Sequence, residues 1–199
     1  MFENILCQIP DHDPDAILPL IELAIEIARE GREGRRIGTL FTFGDEAAVL
    51  AASRPLILDP LAGHPEEARR MTNPNLRGTI KELAQLDGAF VVSGAGVFVA
   101  ACRYLTSTAA SRVELPLGLG SRHLAAAGIS ALTKAVGLVV SESSVVRLFC
   151  HGEMVAEKIP ELWLLSRGSV QMRGAISEEH IRDLAVITPR TPFPQKHET

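Results

Sequence analysis

The chain has 199 residues, 46% of them hydrophobic and 22% charged, with a formal net charge of −4 at pH 7. That balance fits one globular domain, or one with a modest extension, large enough to bury a core without disulfide or metal staples. An acidic total excludes a general nucleic-acid binder, whose footprint is basic, but leaves room for a mononucleotide, which needs only a few local cations.

Asp13-Pro14-Asp15 has the composition of a helix start, and Ile17, Leu18, Ile21, Ala24, Ile25 and Ala28 follow at helical spacing with Glu22, Glu26 and Glu30 on a polar side. Pro19 is expected to push the start a few residues later, and Gly31 and Gly34 to end the helix. Ile37 to Phe43, stopped by Gly44-Asp45, reads as a buried strand. From Ala52 to Asn75 five prolines and glycines break the pattern, leaving an irregular connection with one helical turn around Glu66 to Met71. Leu76 to Leu86 reads as a helix, and Ala89–Val92 and Val97–Cys102, joined by Ser93-Gly94-Ala95-Gly96, as a hairpin. Residues 106 to 120 form a loop into a helix from Ser121 to Ala135, and the runs Gly137–Val140 and Val145–Phe149 flank a turn at Ser141 to Ser144. Beyond His151 the pattern weakens: Trp163, with Leu162, Leu164 and Leu165, reads as core or a subunit contact. Glu178, Glu179, His180 and Arg182 read as the exposed face of a short helix, and the tail from Thr188 as loose. The fold class expected is α/β: a single domain with a central mixed, largely antiparallel β-sheet flanked by helices.

Cys7, Cys102 and Cys150 are odd in number, without C-x-x-C spacing, and read as small buried hydrophobes in a reduced setting. The start, Met1-Phe2-Glu3-Asn4, has no basic leader region, and the longest apolar-rich segment, Ile17 to Ala28, is charged at two positions and too short to span a bilayer. A cytoplasmic location without membrane contact is expected. His12, His64, His151, His180 and His197 show no spacing that suggests a metal site.

Two segments have the chemistry of a site. In Leu86-Asp87-Gly88-Ala89 a carboxylate stands beside backbone that a ligand can approach; it suits a hard cation bound to phosphates, the alternative being a turn residue that caps local amides. In Gly118-Leu119-Gly120-Ser121-Arg122-His123-Leu124, glycines precede a helix start that carries a hydroxyl, an arginine and a histidine. Free amides and a guanidinium there suit phosphate, the alternative being an ordinary N-cap with Arg122 and His123 in solvent. No Walker A spacing occurs anywhere in the chain. Ala125, Ala126, Ala127 and Gly128 would let this helix sit close to the sheet.

Together the two segments resemble the signature of the diadenylate cyclase domain, found in the DNA-integrity scanning protein and in membrane-bound bacterial cyclases. Its Asp-Gly-Ala motif is intact as Asp87-Gly88-Ala89, and its Arg-His-Arg motif reads Arg122-His123-Leu124 after Gly120-Ser121. Ile80 to Ala84, Ala127 to Ser130, Val139 to Glu142 and Ile37 to Phe41 also resemble the family, so the likeness covers residues 36 to 147. It divides the chain into an N-terminal helical segment (1–35), a cyclase core (36–150), a C-terminal extension packed on the domain (151–187) and a loose tail (188–199).

The resemblance implies that two ATP molecules, one in each of two facing subunits, are condensed into cyclic di-AMP with release of two pyrophosphates. Asp87, Arg122 and His123 would be the catalytic residues, with Asp87 holding a divalent ion, Mn2+ or Mg2+. Gly88, Ala89, Leu105, Gly120, Ser121, Arg122, His123, Ser141 and Glu142 would form the ATP site: Leu105 against the adenine, Gly88 for close backbone approach, Ser141 and Glu142 at the phosphate and metal end. Self-association with facing sites is expected, and no nucleic-acid partner. The departure is Leu124, which stands where the family has its second arginine and cannot donate to phosphate; Arg103 and Arg112 are candidate substitutes. Leu124 also motivates a competing reading, a non-catalytic adenine-nucleotide-binding or regulatory protein on the same fold.

Overall fold

The computed structural model describes residues 14–106, 113, 115–158, 176–181 and 184–189; Arg112, Trp163 with its leucines, and the tail beyond Pro189 lie outside them. The chain divides into two compact units, Met1–Pro160 and Glu161–Thr199.

In the first unit, helix α1 (Pro14–Glu30) is followed by β1 (Thr39–Phe43), the short helix α2 (Glu46–Ala51), β2 (Ser53–Pro55) and a 3-10 turn at Glu66–Arg69. Then come α3 (Pro74–Leu83), β3 (Ala89–Val92), β4 (Phe98–Leu105), α4 (Ser121–Leu132), β5 (Val136–Val140), β6 (Val146–Cys150) and β7 (Glu153–Lys158). Pro19 does not delay α1: it sits inside the helix, where its missing N–H forfeits only the bond to the carbonyl four residues before it.

Seven strands form one sheet in the order β2-β4-β3-β1-β5-β6-β7. Only β1 and β3 run parallel, pairing Leu40 with Ala89 and Phe43 with Val92; every other neighbour in this sheet is antiparallel. This is the mixed, largely antiparallel sheet expected. β1, β3 and β5 are buried at every residue, because both faces of the sheet are covered. On one face Leu40, Val91, Val139 and Phe149 pack with Ala126, Ala127 and Ile129 of α4. A Cβ on Gly137 of β5 would stand 2.9 Å from the Ala126 Cβ, so helix and strand approach as closely as small residues allow. Phe41, Phe90 and Phe98, in mutual ring contact, alternate to the other face.

α1 packs on β5 and β6. Its glutamates are not simply solvated: Glu26 pairs with Arg77 and Lys81 of α3 at 2.7 and 2.9 Å, and Glu30 with Lys81 at 2.8 Å. Burial alone would raise the Glu26 carboxyl, but the two cations outweigh it and hold it below its ordinary range. Arg36 donates to Ser144 Oγ, and that hydroxyl donates to the Ala28 carbonyl at 2.7 Å, tying the β5–β6 turn to the end of α1. Cys102 and Cys150 are free thiols in the core, and burial pushes Cys150 up to about 11.

The second unit contributes an antiparallel pair, β8 (Ile176–Ile181) with β9 (Leu184–Pro189). This corrects the expectation of a short helix at residues 178–182. Val186-Ile187-Thr188 is a β-branched run in the facing segment, and pairing with it outweighs the helical preference of Glu178 and Glu179. Among the described residues no helix is long and apolar enough to cross a membrane.

Candidate functional site

The strand register brings both motifs to one end of the sheet. Leu40 pairs with Ala89, so the start of β1 lies beside the Asp87-Gly88 turn that feeds β3. Thr39 pairs with Val140, so the same end of β1 meets the place where β5 runs out into Ser141-Glu142. Ala89 pairs with Arg103, which brings in the end of β4, and α4 starts over this edge. Between them lies a cleft of about 380 Å³ lined by Asp87, Gly88 and Ala89, by Arg103, Tyr104 and Leu105, and by Ser121, Arg122, Leu124 and Ala125 of α4. Leu40 and Leu56 complete its apolar wall; neither was among the expected site residues, since only the register places them here.

Six of the expected site residues line this cleft: Asp87, Gly88, Ala89, Leu105, Ser121 and Arg122. Asp87 is exposed; its Oδ1 accepts from the Gly88 amide at 2.9 Å, and Oδ2 has no protein partner among the described residues. One oxygen of Asp87 thus caps the turn, and the other is left open. Gly88 has φ +101°, and a Cβ there would stand 2.7–2.9 Å from the backbone of Cys102 and Arg103. The glycine is therefore demanded by the fold itself, whatever approaches it from the cleft. Cys102, with φ 53°, lies where the β3–β4 register shifts, so a bulge of β4 is the body that presses on Gly88. Its thiol is raised by burial and by the carboxylates of Asp59 and Asp87.

The opposite wall is the start of α4. Gly120 is its N-cap, without a side-chain cap; the first amides taken within the helix are those of His123 and Leu124, both bonded to the Gly120 carbonyl. The amides of Ser121 and Arg122 have no acceptor among the described residues and sit at the positive end of the helix dipole. Arg122 forms an ion pair with Glu142 at 3.3 Å, which links Glu142 to the cleft although Glu142 does not line it. Ser141 stays in its own turn, its hydroxyl bonded to Ser143 Oγ and to the Val145 backbone.

His123 is placed differently from the rest: it is 7% exposed and faces the sheet, its ring packed against Phe149. Arg147 Nη1 donates to its Nε2 at 3.2 Å, and because a guanidinium only donates, Nε2 is the acceptor and the proton of the neutral ring sits on Nδ1. Burial first, then the Arg147 charge, lowers its pKa, with the Gly120 backbone working the other way. Arg147 is in turn paired with Glu157 of β7 at 2.7 Å. The helical stripe His123, Ala126, Ala127, Ser130 already places this histidine on the sheet-facing side of α4.

The profile of the family described as DisA bacterial checkpoint controller nucleotide-binding, the DAC family, matches residues 26–154. The chain belongs to this family. Two curated proteins named diadenylate cyclase are similar to it. One, from Methanocaldococcus jannaschii, is 46% identical over 147 residues, covering 73% of this chain and 46% of that protein. The other, from Haloferax volcanii, is 40% identical over 152 residues, covering 76% of this chain and 55% of that protein. The chain thus spans about half the length of the curated relatives it matches. The crystal structure of DacA from Staphylococcus aureus is a looser likeness, with a TM-score of 0.47 at 22% identity over 77% of this chain and 94% of that one.

The residues that line the cleft fit a cation that shares its ligands with phosphates. Among the described residues Asp87 is the only carboxylate lining the cleft, and no group of three or more His, Cys, Asp or Glu could hold a metal alone. Mg2+ bound with nucleotides takes one or two protein carboxylates and leaves its other positions to phosphate and water, which one Asp with a free oxygen satisfies. Leu124 is 39% exposed and faces the cleft, so the departure from the second motif falls at the site. Arg103 lines the same cleft, but its Nε and Nη2 are engaged with Ser53 Oγ at 3.1 Å and with the carbonyls of Ser53 and Leu50.

Proposed function

We propose that this chain is a diadenylate cyclase domain: it holds one ATP, and two copies facing each other condense their ATP molecules into cyclic di-AMP and two pyrophosphates. What carries this reading is one cleft with an open carboxylate, Asp87, on one wall and an uncapped helix start with Ser121 and Arg122 on the other, joined by apolar residues. Its size, about 380 Å³, is that of a small-molecule site. Its chemistry divides as a nucleotide does, apolar for a base and cationic for a triphosphate.

The adenine lies against Leu105, and the phosphates take the Ser121 and Arg122 amides, the Ser121 hydroxyl and the Arg122 guanidinium. In the reaction the ribose 3′-oxygen of each ATP attacks the α-phosphorus of the other; the bond to the pyrophosphate oxygen breaks, and the hydroxyl proton is released. Asp87 Oδ2 orients that hydroxyl and accepts its hydrogen bond, and Arg122 faces the charge that builds on the phosphates. Asp87 would hold a divalent ion, Mn2+ or Mg2+, which would supply further neutralisation of that charge. His123 acts from behind the wall, as a buried support of α4. Each cleft presents one set of these groups, so an isolated subunit with ATP is inert. Work in the cytoplasm, where ATP is abundant, accords with this.

Leu124 favours a second reading, a nucleotide-binding subunit without turnover, because it removes a phosphate donor from the cleft itself. Incubation of the pure protein with ATP and Mn2+ or Mg2+, followed by mass spectrometry, separates the two. Cyclic di-AMP that disappears in Asp87→Asn, with an unchanged melting temperature, supports the cyclase. ATP bound without product at concentrations where the protein pairs supports the second reading, and turnover unchanged in Asp87→Asn refutes the role given to that residue.

A further inference from the structure

We propose that Gly38 is a positioning residue for Arg122: having no side chain, it keeps open the slot in which the Arg122 guanidinium lies, and so sets where that cation meets a nucleotide's phosphates. The proposal rests on the nucleotide reading above and adds a residue outside both motifs.

Gly38 is buried and directly precedes β1. Because Thr39 pairs with Val140, Gly38 lies beside the exit of β5 into Ser141-Glu142, under the start of α4. A Cβ at this position would stand 2.7 Å from Arg122 Nη1, 3.3 Å from its Cζ and 3.2 Å from Glu142 Cγ. Its φ lies outside the left-handed region, so the backbone does not require a glycine. What glycine provides is space, and the atoms that fill it are the ends of two flexible side chains.

The remaining restraint on Arg122 is weak. Its ion pair with Glu142 joins side chains 39% and 70% exposed, and a pair so open to solvent contributes less than the rotamer entropy of an ordered arginine. The pair selects a direction, and the flat backbone at Gly38 gives the guanidinium a surface to lie on at that point. Filling the slot pushes the cation away from it without touching the core.

The test is Gly38→Ala in the full chain, made in the wild type and in Arg122→Ala. The melting temperature is expected to stay at the wild-type value. The side-chain Nε–H resonance of Arg122 in the free protein, assigned by its loss in Arg122→Ala, is expected to move. ATP affinity is expected to fall about tenfold, the loss of one charge-assisted contact, while adenosine binds as before. In the Arg122→Ala background the second substitution is expected to change nothing further. An unmoved resonance, an ATP affinity equal to wild type, or a loss of affinity or stability of the same size in both backgrounds would overturn the proposal, since the Cβ would then act on something other than Arg122. A wild-type chain that binds no ATP overturns the nucleotide reading and this role together; one that binds ATP with Gly38→Ala indifferent overturns this role alone.

Discussion

The two walls of the cleft are held in place by different kinds of matter. On the acidic wall, Asp87 is fixed by backbone: a glycine at φ +101°, a bulge of β4 against it, and an amide bonded back to its own carboxylate. On the basic wall, Arg122 is fixed by side chains and space: a solvent-exposed glutamate, and the gap over Gly38. A wall built of backbone yields only by breaking the fold, whereas a wall built of side chains can be shifted without cost to stability. The difference assigns the carboxylate to a point in space and leaves the cation adjustable to what it meets.

Substitutions at the two walls therefore separate along stability and binding. Gly88→Ala is expected to have the largest effect: an unfavourable φ and a collision with main-chain atoms together cost about 3 kcal/mol or more. For a chain of this size that lowers the melting temperature by roughly 6–12 °C, read by calorimetry. A melting point within a degree of wild type would mean that the bulge at Cys102 gives way, and the acidic wall is as soft as the other. Arg122→Ala comes next and acts on the other axis. ATP affinity is expected to fall roughly 10- to 100-fold, the worth of one or two charge-assisted bonds, with stability unchanged.

The turn that carries the acidic wall was legible in the sequence for the same reason. A carboxylate followed by glycine between a helix and an apolar run is a local pattern, and the central strands are β-branched and aromatic enough to be seen without neighbours. What escaped depends on partners far along the chain. Helix α2 has six residues, too few for a period; β2 has three and ends on Pro55; and β7, Glu-Met-Val-Ala-Glu-Lys, has helix-favouring residues that only pairing with β6 overrides. Gly38 is silent as a letter, since its meaning comes from the register of β1 on β5 and from the closeness of α4. His123 was readable one way by motif and another by helical stripe, and the stripe is what governs its burial.

A smaller effect in the opposite direction is expected from Leu124→Arg. The residue faces the cleft one helical turn's fraction from Arg122, so an arginine there adds a donor to the adjustable wall without disturbing the core. ATP affinity or cyclase turnover is expected to rise by up to about tenfold. No change in either would mean that the cleft's apolar side, not its phosphate end, is what position 124 touches.

The smallest effect tests the support behind the basic wall. His123 is neutral in the folded chain and its pKa lies below the ordinary histidine value, through burial and the facing Arg147 and Arg122, with Glu157 and the Gly120 backbone opposing. Above about pH 6.5, where an unfolded histidine is also neutral, this costs nothing. As pH falls below that value the unfolded chain takes up a proton that the folded chain refuses, so stability declines until the folded pKa is passed and then levels. Glu26 and Glu30, whose carboxyls are held below the ordinary 4.5, add their own loss only at more acid pH, so the two contributions fall in separate windows. Urea midpoints measured from pH 7.5 to 5 are expected to decline in the wild type and to lie flatter in His123→Gln, whose amide oxygen can still accept from Arg147. Equal slopes would place the titrating group elsewhere and leave His123 a packing residue alone.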